Sequence, residues 1–167
     1  VRRTGQRVPR PALLGLGLTP KDAVFVPSFT YVATAEAILM GNATPVFVEV
    51  DEKSFNIDPA DLSARIEAVK KEGKLTPRVI IAVDLFGQPA DYQALRKIAD
   101  EHDLFIIADA AQSIGGKSGN KMIGTLADCT TTSFYPTKPL GCYGDGGMVF
   151  TDSDDLAAIY NSVRAHG

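Results

Sequence analysis

Residues 79–113 read VIIAVDLFGQPADYQALRKIADEHDLFIIADAAQS, and the order of apolar and polar residues in this stretch decides the fold class. Val79 to Leu85 is dense in β-branched and apolar residues, which predicts a strand. The turn residues Gly87-Gln88-Pro89 end it. From Ala90 to His102, Tyr92, Leu95, Ile98 and Ala99 recur at three- and four-residue spacing, the pattern of an amphipathic helix. Leu104 to Ala108 is apolar throughout, so this second strand is expected to be buried on both faces. Strand, helix and strand in succession imply a right-handed crossover and parallel pairing.

The same alternation extends in both directions. Upstream, Ala23 to Val26 reads as a strand, Thr30 to Met40 as a helix stopped by Gly41-Asn42, and Pro45 to Val50 as another strand. Asp58-Pro59 is a helix start, with Asp as the cap and Pro in the first turn. Leu62, Ile66 and Val69 form the apolar stripe of that helix, with Arg65, Lys70 and Lys71 outside it. Downstream, Thr130 to Phe134 and Met148 to Thr151 read as strands around a glycine-rich turn, and Asp154 to Ala165 as a final helix. The fold class is α/β, a mainly parallel sheet with helices on its faces. Residues 1–20 stand apart as an atypical segment. Arg2, Arg3, Arg7 and Arg10 crowd together there, and Pro9 and Pro11 are expected to interrupt any helix, leaving a frayed, solvated end.

Composition bounds the function. The 167 residues are 45% apolar and 22% charged, enough for a sizeable core and unlike a disordered chain. Twenty acidic residues against 17 basic ones, a net charge of -3, argue against nucleic acid as the partner. The longest apolar runs fall well short of the ~20 residues of a membrane span. Two cysteines, Cys129 and Cys142, and two histidines, His102 and His166, are too few for a disulfide framework or a zinc cluster. A reducing, cytoplasmic setting follows, with no metal expected.

Ligands of open parallel sheets bind beyond the carboxyl ends of the strands. Asp109 follows the LFIIA strand directly and Gln112 comes three residues later. Ser133 lies near the end of the TTTSF stretch, with Lys138 five residues on. Gly141, Gly144, Gly146 and Gly147 then form a tight loop where backbone can approach a ligand. Singly, these residues read as a helix cap, a turn hydroxyl and a surface lysine. In this order, on these strand ends, they read as one site.

ADAAQS (108–113), SFYPTK (133–138) and GDGG (144–147) together resemble the sugar-nucleotide aminotransferases of the DegT/DnrJ/StrS group, as do VPSFTYVATAEA (26–37) and VRAHG (163–167). The resemblance runs from about residue 13 to the end. It implies the three-layer α/β/α large domain of fold-type I aminotransferases, which binds pyridoxal 5'-phosphate. Lys138 matches the family lysine that forms a Schiff base with the cofactor aldehyde and then moves the proton between substrate and cofactor carbons. Asp109 matches the carboxylate that pairs with the protonated pyridine nitrogen and keeps the ring an electron sink. Gln112 matches a residue near the ring hydroxyl, Ser133 a hydroxyl donor to the phosphate, and Tyr31 an aromatic stacked on the ring. Dehydratase members carry histidine at the lysine position, so Lys138 implies transamination.

Within the group, SFYPTKPLGCYGDGG is most similar to members that aminate the 3-keto group of a UDP-linked 2-acetamido hexuronic acid. The resemblance therefore implies a nucleotide-sugar substrate, glutamate as amino donor, homodimers with shared sites, and service in surface polysaccharide synthesis such as lipopolysaccharide. Two departures stand out. The family's Gly-Thr-x-Ala-Leu phosphate loop aligns with Gly5-Gln6-Arg7-Val8-Pro9, where the glycine fits and the threonine does not. Family members are also much longer, so residues 21–167 are expected to be part of the large domain, with the C-terminal small domain absent.

One rival comes from signalling. A receiver domain pairs a phospho-accepting aspartate with a Lys-Pro dipeptide, and Asp84 precedes Lys138-Pro139, with Glu49 and Asp51 as a possible upstream acidic pair. ADAAQS and GDGG have no role in such a domain. An inactive, truncated relic of the aminotransferase is the other alternative.

Overall fold

A strand that is apolar at every position needs a core on each side of its sheet, and the computed structural model supplies two. It describes residues 9–166, with side chains to residue 163. Strands β1 (Asp22–Pro27), β2 (Thr44–Val48), β3 (Thr76–Val83) and β4 (Phe105–Asp109) are followed by a small separate hairpin, β5 (Lys117–Ser118) and β6 (Lys121–Met122). Strands β7 (Cys129–Ser133) and β8 (Gly147–Phe150) complete the main sheet. Its order is β2-β1-β3-β4-β7-β8, parallel except for the last pair.

Among the described residues, the helices α1 (Pro9–Leu14), α2 (Ala33–Met40), α3 (Pro59–Glu72), α4 (Tyr92–His102) and α5 (Asp154–His166) cover it. Phe25, Ile80, Ile106 and Ala108 pack with Leu62 and Ile66 of α3 and Leu95 of α4. Val24, Val26, Ile81 and Ile107 pack on the opposite face with Leu13 of α1, Ile38 of α2 and Tyr160 of α5. The result is the three-layer α/β/α arrangement with a mainly parallel sheet. Within β4, Ile106 and Ile107 face opposite cores, which accounts for its unbroken apolar sequence.

Local signals set the helix ends. The Asp58 carboxylate accepts from the Ala60 N–H at 2.8 Å, and Gly73 ends α3 with φ 68°. The β3 strand is shifted from its expected span, beginning at Thr76 and ending at Val83. After Asp84 the chain turns sharply through Leu85–Gly87, with φ 56° at Phe86 and 84° at Gly87. The β5–β6 hairpin is not anticipated by the sequence, because two-residue strands carry no periodicity to read.

The expected frayed end is corrected from residue 9 onward. Pro9 to Leu14 is helical, and Pro9, Ala12 and Leu13 are buried. Both prolines lie in the first turn, where backbone N–H groups have no intrahelical acceptor and the missing donor costs nothing. Leu13 then docks on α2 so closely that a Cβ at Gly41 would stand 3.1 Å from the Leu13 Cβ. The departure at Gly5-Gln6-Arg7-Val8 and the arginines Arg2, Arg3 and Arg7 lie outside the described residues.

From β1 the sheet grows first to β2 on one side, then returns to β3 on the other. That reversal makes a crevice at the carboxyl edge between β1 and β3. The ends of β3, β4 and β7 open on the same edge, and so does the start of β8, because Ser133 pairs with Gly147.

Candidate active site

Asp109 is the last residue of β4 and is 9% exposed. The Ala111 N–H donates to its Oδ1 at 3.1 Å, and the Thr34 hydroxyl of α2 bonds the carboxylate from the layer above. Burial pushes its pKa above the ordinary carboxylate value, and the Ala111 N–H and the Lys138 charge oppose that shift. The structure thus brings Lys138, 29 positions further along the chain, near enough for its charge to act on Asp109.

Lys138 is half-buried in the loop between β7 and β8. Its N–H donates to the Tyr135 carbonyl at 2.8 Å. The Cys142 N–H donates to the Phe134 carbonyl, and the Phe134 N–H to the Gly146 carbonyl, both at 2.8 Å. A Cβ at Gly141 would lie 2.6 Å from the Pro136 carbonyl oxygen, so only glycine lets the loop close beside the lysine. Ser133 ends β7, two residues beyond Thr131, the neighbour of Asp109 across the sheet. It is 2% exposed, and its hydroxyl oxygen accepts from the Tyr135 N–H at 3.2 Å. Gln112 and Tyr31 lie on loops leaving the same edge, after β4 and β1, and both are exposed rather than packed against the Asp109–Lys138 pair.

Two residues at this edge were not assigned to the site from sequence. Thr34 is 3% exposed; its hydroxyl had no signal within a helix of small residues. Asp84, immediately after β3, carries the signal of an acid at a strand end, and the rival receiver reading makes it a phospho-acceptor. The structure removes that role: Asp84 is 1% exposed. Its Oδ1 accepts from the Ala90 N–H at 3.0 Å and the Tyr92 hydroxyl at 2.7 Å, and its Oδ2 accepts from the Ser113 hydroxyl at 2.6 Å. A phosphoryl donor cannot reach it. Among the described residues no group of three or more His, Cys, Asp or Glu is placed to hold a metal ion, and no helix is long and apolar enough to cross a membrane.

Residues 10–167 match the model of the DegT/DnrJ/EryC1/StrS aminotransferase family. A Pseudomonas aeruginosa protein named UDP-2-acetamido-2-deoxy-3-oxo-D-glucuronate aminotransferase is 44% identical over 156 residues, covering 92% of this chain and 41% of that protein. A Streptomyces venezuelae dTDP-3-amino-3,4,6-trideoxy-alpha-D-glucose transaminase is 42% identical over 158 residues, covering 93% of this chain and 39% of its own length. Among solved structures, a DegT DnrJ EryC1 StrS aminotransferase from Brucella abortus superposes with a TM-score of 0.94 at 52% identity, over 98% of this chain and 44% of that one. The chain spans about two fifths of the length of the curated relatives it matches.

Proposed function

Because the chain belongs to the DegT/DnrJ/EryC1/StrS aminotransferase family, we propose that it is the cofactor-holding part of a pyridoxal-phosphate-dependent aminotransferase acting on a nucleotide-linked keto sugar. The observation that carries this reading is the buried Asp109 carboxylate held in the field of Lys138 at the carboxyl edge of the sheet. A buried carboxylate with a lysine charge acting on it fits a ligand that presents a protonated ring nitrogen and an aldehyde. When bound, pyridoxal phosphate supplies that aldehyde and an electron-accepting ring, which together carry an amino group from donor to acceptor.

The protein's residues take the remaining roles. Asp109 holds the ring nitrogen's proton in place by charge, with its carboxylate oriented by the Ala111 N–H and the Thr34 hydroxyl. Lys138 provides the amine at Nζ that anchors the cofactor and then accepts and returns a proton. In this reading Ser133 would supply a hydroxyl to the phosphate, Gln112 an amide to the ring hydroxyl and Tyr31 an aromatic to the ring face. Residues 21–167 form part of the large domain; the family's small domain and a second subunit complete the site in this reading.

The substrate is UDP-linked and the amino donor is glutamate. Support for the nucleotide comes from the similarity to the Pseudomonas aeruginosa protein and to an Acidithiobacillus ferrooxidans protein named for a UDP-linked 3-dehydro sugar. A Bacillus subtilis relative is named as a spore coat polysaccharide biosynthesis protein, which favours surface polysaccharide synthesis from cytoplasmic precursors. Mixing the chain with pyridoxal phosphate tests the reading. A visible absorption band should appear, and borohydride should fix the cofactor mass to the peptide carrying Lys138. Lys138→Ala should abolish the fixation, and a wild-type chain with no band overturns the proposal.

A further inference from the structure

Three loops of the carboxyl edge are tied together by one carboxylate that faces no solvent. Asp84 receives the Ala90 N–H and the Tyr92 hydroxyl on Oδ1, which binds it to the start of α4. It receives the Ser113 hydroxyl on Oδ2, which binds it to the loop that leaves Asp109. Its own backbone N–H donates to the Asp109 carbonyl at 3.0 Å. A second tie runs beside the first. Gly87, with φ 84°, lies so close to that loop that a Cβ there would stand 3.0 Å from the Gln112 carbonyl oxygen. Asn56, 3% exposed, holds the 85–87 turn from the other side. Its Oδ1 accepts from the Leu85 N–H at 3.1 Å and its Nδ2 donates to the Gln88 carbonyl at 3.0 Å.

Packing alone does not call for an acid at this position, since desolvating a carboxylate is costly and an apolar side chain of like volume avoids the cost. What the carboxylate adds is direction: two oxygens that fix three donors from two different loops at once. One of those loops, residues 110–113, carries nothing of the core except Ala110, but it contains Gln112 and begins at Asp109.

We propose that Asp84 is a positioning residue for the site: through Ser113 and the 85–87 turn it holds residues 110–113 so that Asp109 and Gln112 face the cofactor ring. The proposal rests on the reading of this edge as a pyridoxal-phosphate site. Its two hydroxyl partners separate positioning from mere stability. Ser113 leads from the carboxylate to the site loop, whereas Tyr92 leads away into α4 with a bond of nearly the same length.

The experiment compares Ser113→Ala with Tyr92→Phe in the whole chain. Amide hydrogen exchange is read at residues 110–114 and in β3 and β4, and pyridoxal-phosphate affinity is read from the visible band. In Ser113→Ala, exchange at 110–114 should rise about tenfold and the cofactor affinity should fall about tenfold, the factor that one hydrogen bond to a charged group supplies. Exchange in β3 and β4 should change little. Tyr92→Phe should lower stability while leaving both site readouts within about twofold. Unchanged exchange at 110–114 in Ser113→Ala overturns the proposal, and so does a loosened loop that binds the cofactor as tightly as before. A wild-type chain that takes up no cofactor refutes the cofactor reading instead, and the exchange comparison then decides by itself whether Asp84 holds the loop.

Discussion

Asp109 illustrates how a single residue can be stabilising for function and destabilising for the fold. Burial raises its pKa above the ordinary 3.8 despite the donors around it. A carboxyl group with a raised pKa in the folded state binds its proton more tightly there than in the unfolded chain. Its contribution to stability is therefore complete below the unfolded value and is lost as pH rises through the folded value. In the cofactor-free chain, Asp109→Asn should gain stability relative to the native chain on going from pH 4 to pH 7, while its affinity for pyridoxal phosphate falls by about tenfold or more. Denaturant melts of both proteins at the two pH values measure this, and an equal gap at both values would sink the argument. That Asp109 and Lys138 share one edge was legible because each follows a recognisable strand; the roles proposed for them come from the resemblance of ADAAQS and SFYPTK to the family. Thr34 was not, since a threonine inside a helix gives no hint that its hydroxyl reaches a carboxylate of another layer.

At the scale of elements, α1 is the instructive case. Pro9 and Pro11 argue against a helix interior, but the first turn of a helix makes no demand that proline fails to meet. Six residues form no stable helix by themselves, so α1 exists because Leu13 is fully buried against α2 and the sheet. Leu13→Ala should accordingly cost about 2–5 kcal/mol, the range for a buried leucine, whereas a frayed terminus would lose less than about 0.5 kcal/mol. Urea unfolding of the two proteins distinguishes the cases. α3 and α4 show the opposite situation: both begin at an aspartate cap, Asp58 and Asp91, and their apolar stripes were visible from spacing alone. The end of β3 was harder to place, because the apolar Leu85 and Phe86 that extend its pattern belong to a turn organised around Asp84.

For the whole molecule, the two cores share one sheet, and β4 contributes Ile106 to one and Ile107 to the other. Neither core can dissolve without removing half the packing of the strands between them. Unfolding of the cofactor-free chain should therefore be a single transition, with far-UV circular dichroism and exchange of the β4 amides reporting the same midpoint. Two separated transitions would show that the layer made by α1, α2 and α5 folds independently of the layer made by α3 and α4. The same arrangement places the candidate site: strands that are far apart in sequence end on one edge, and the carboxylate of Asp109 lies within the field of the lysine that follows β7.

By itself, the sequence determined the class of the fold, the succession of strands and helices, and the residue types that suit the family's chemistry. These depend on periodicity and on short motifs, which are local properties of the chain. Tertiary structure alone decided the sheet order, the antiparallel placement of β8, the docking of α1, and the conversion of Asp84 from a candidate acceptor into a buried tie. Each of those depends on groups supplied by distant parts of the chain. A hydrogen-bond partner or a covering side chain acts only once packing has brought it within a few ångströms, and no local pattern records which partner that is.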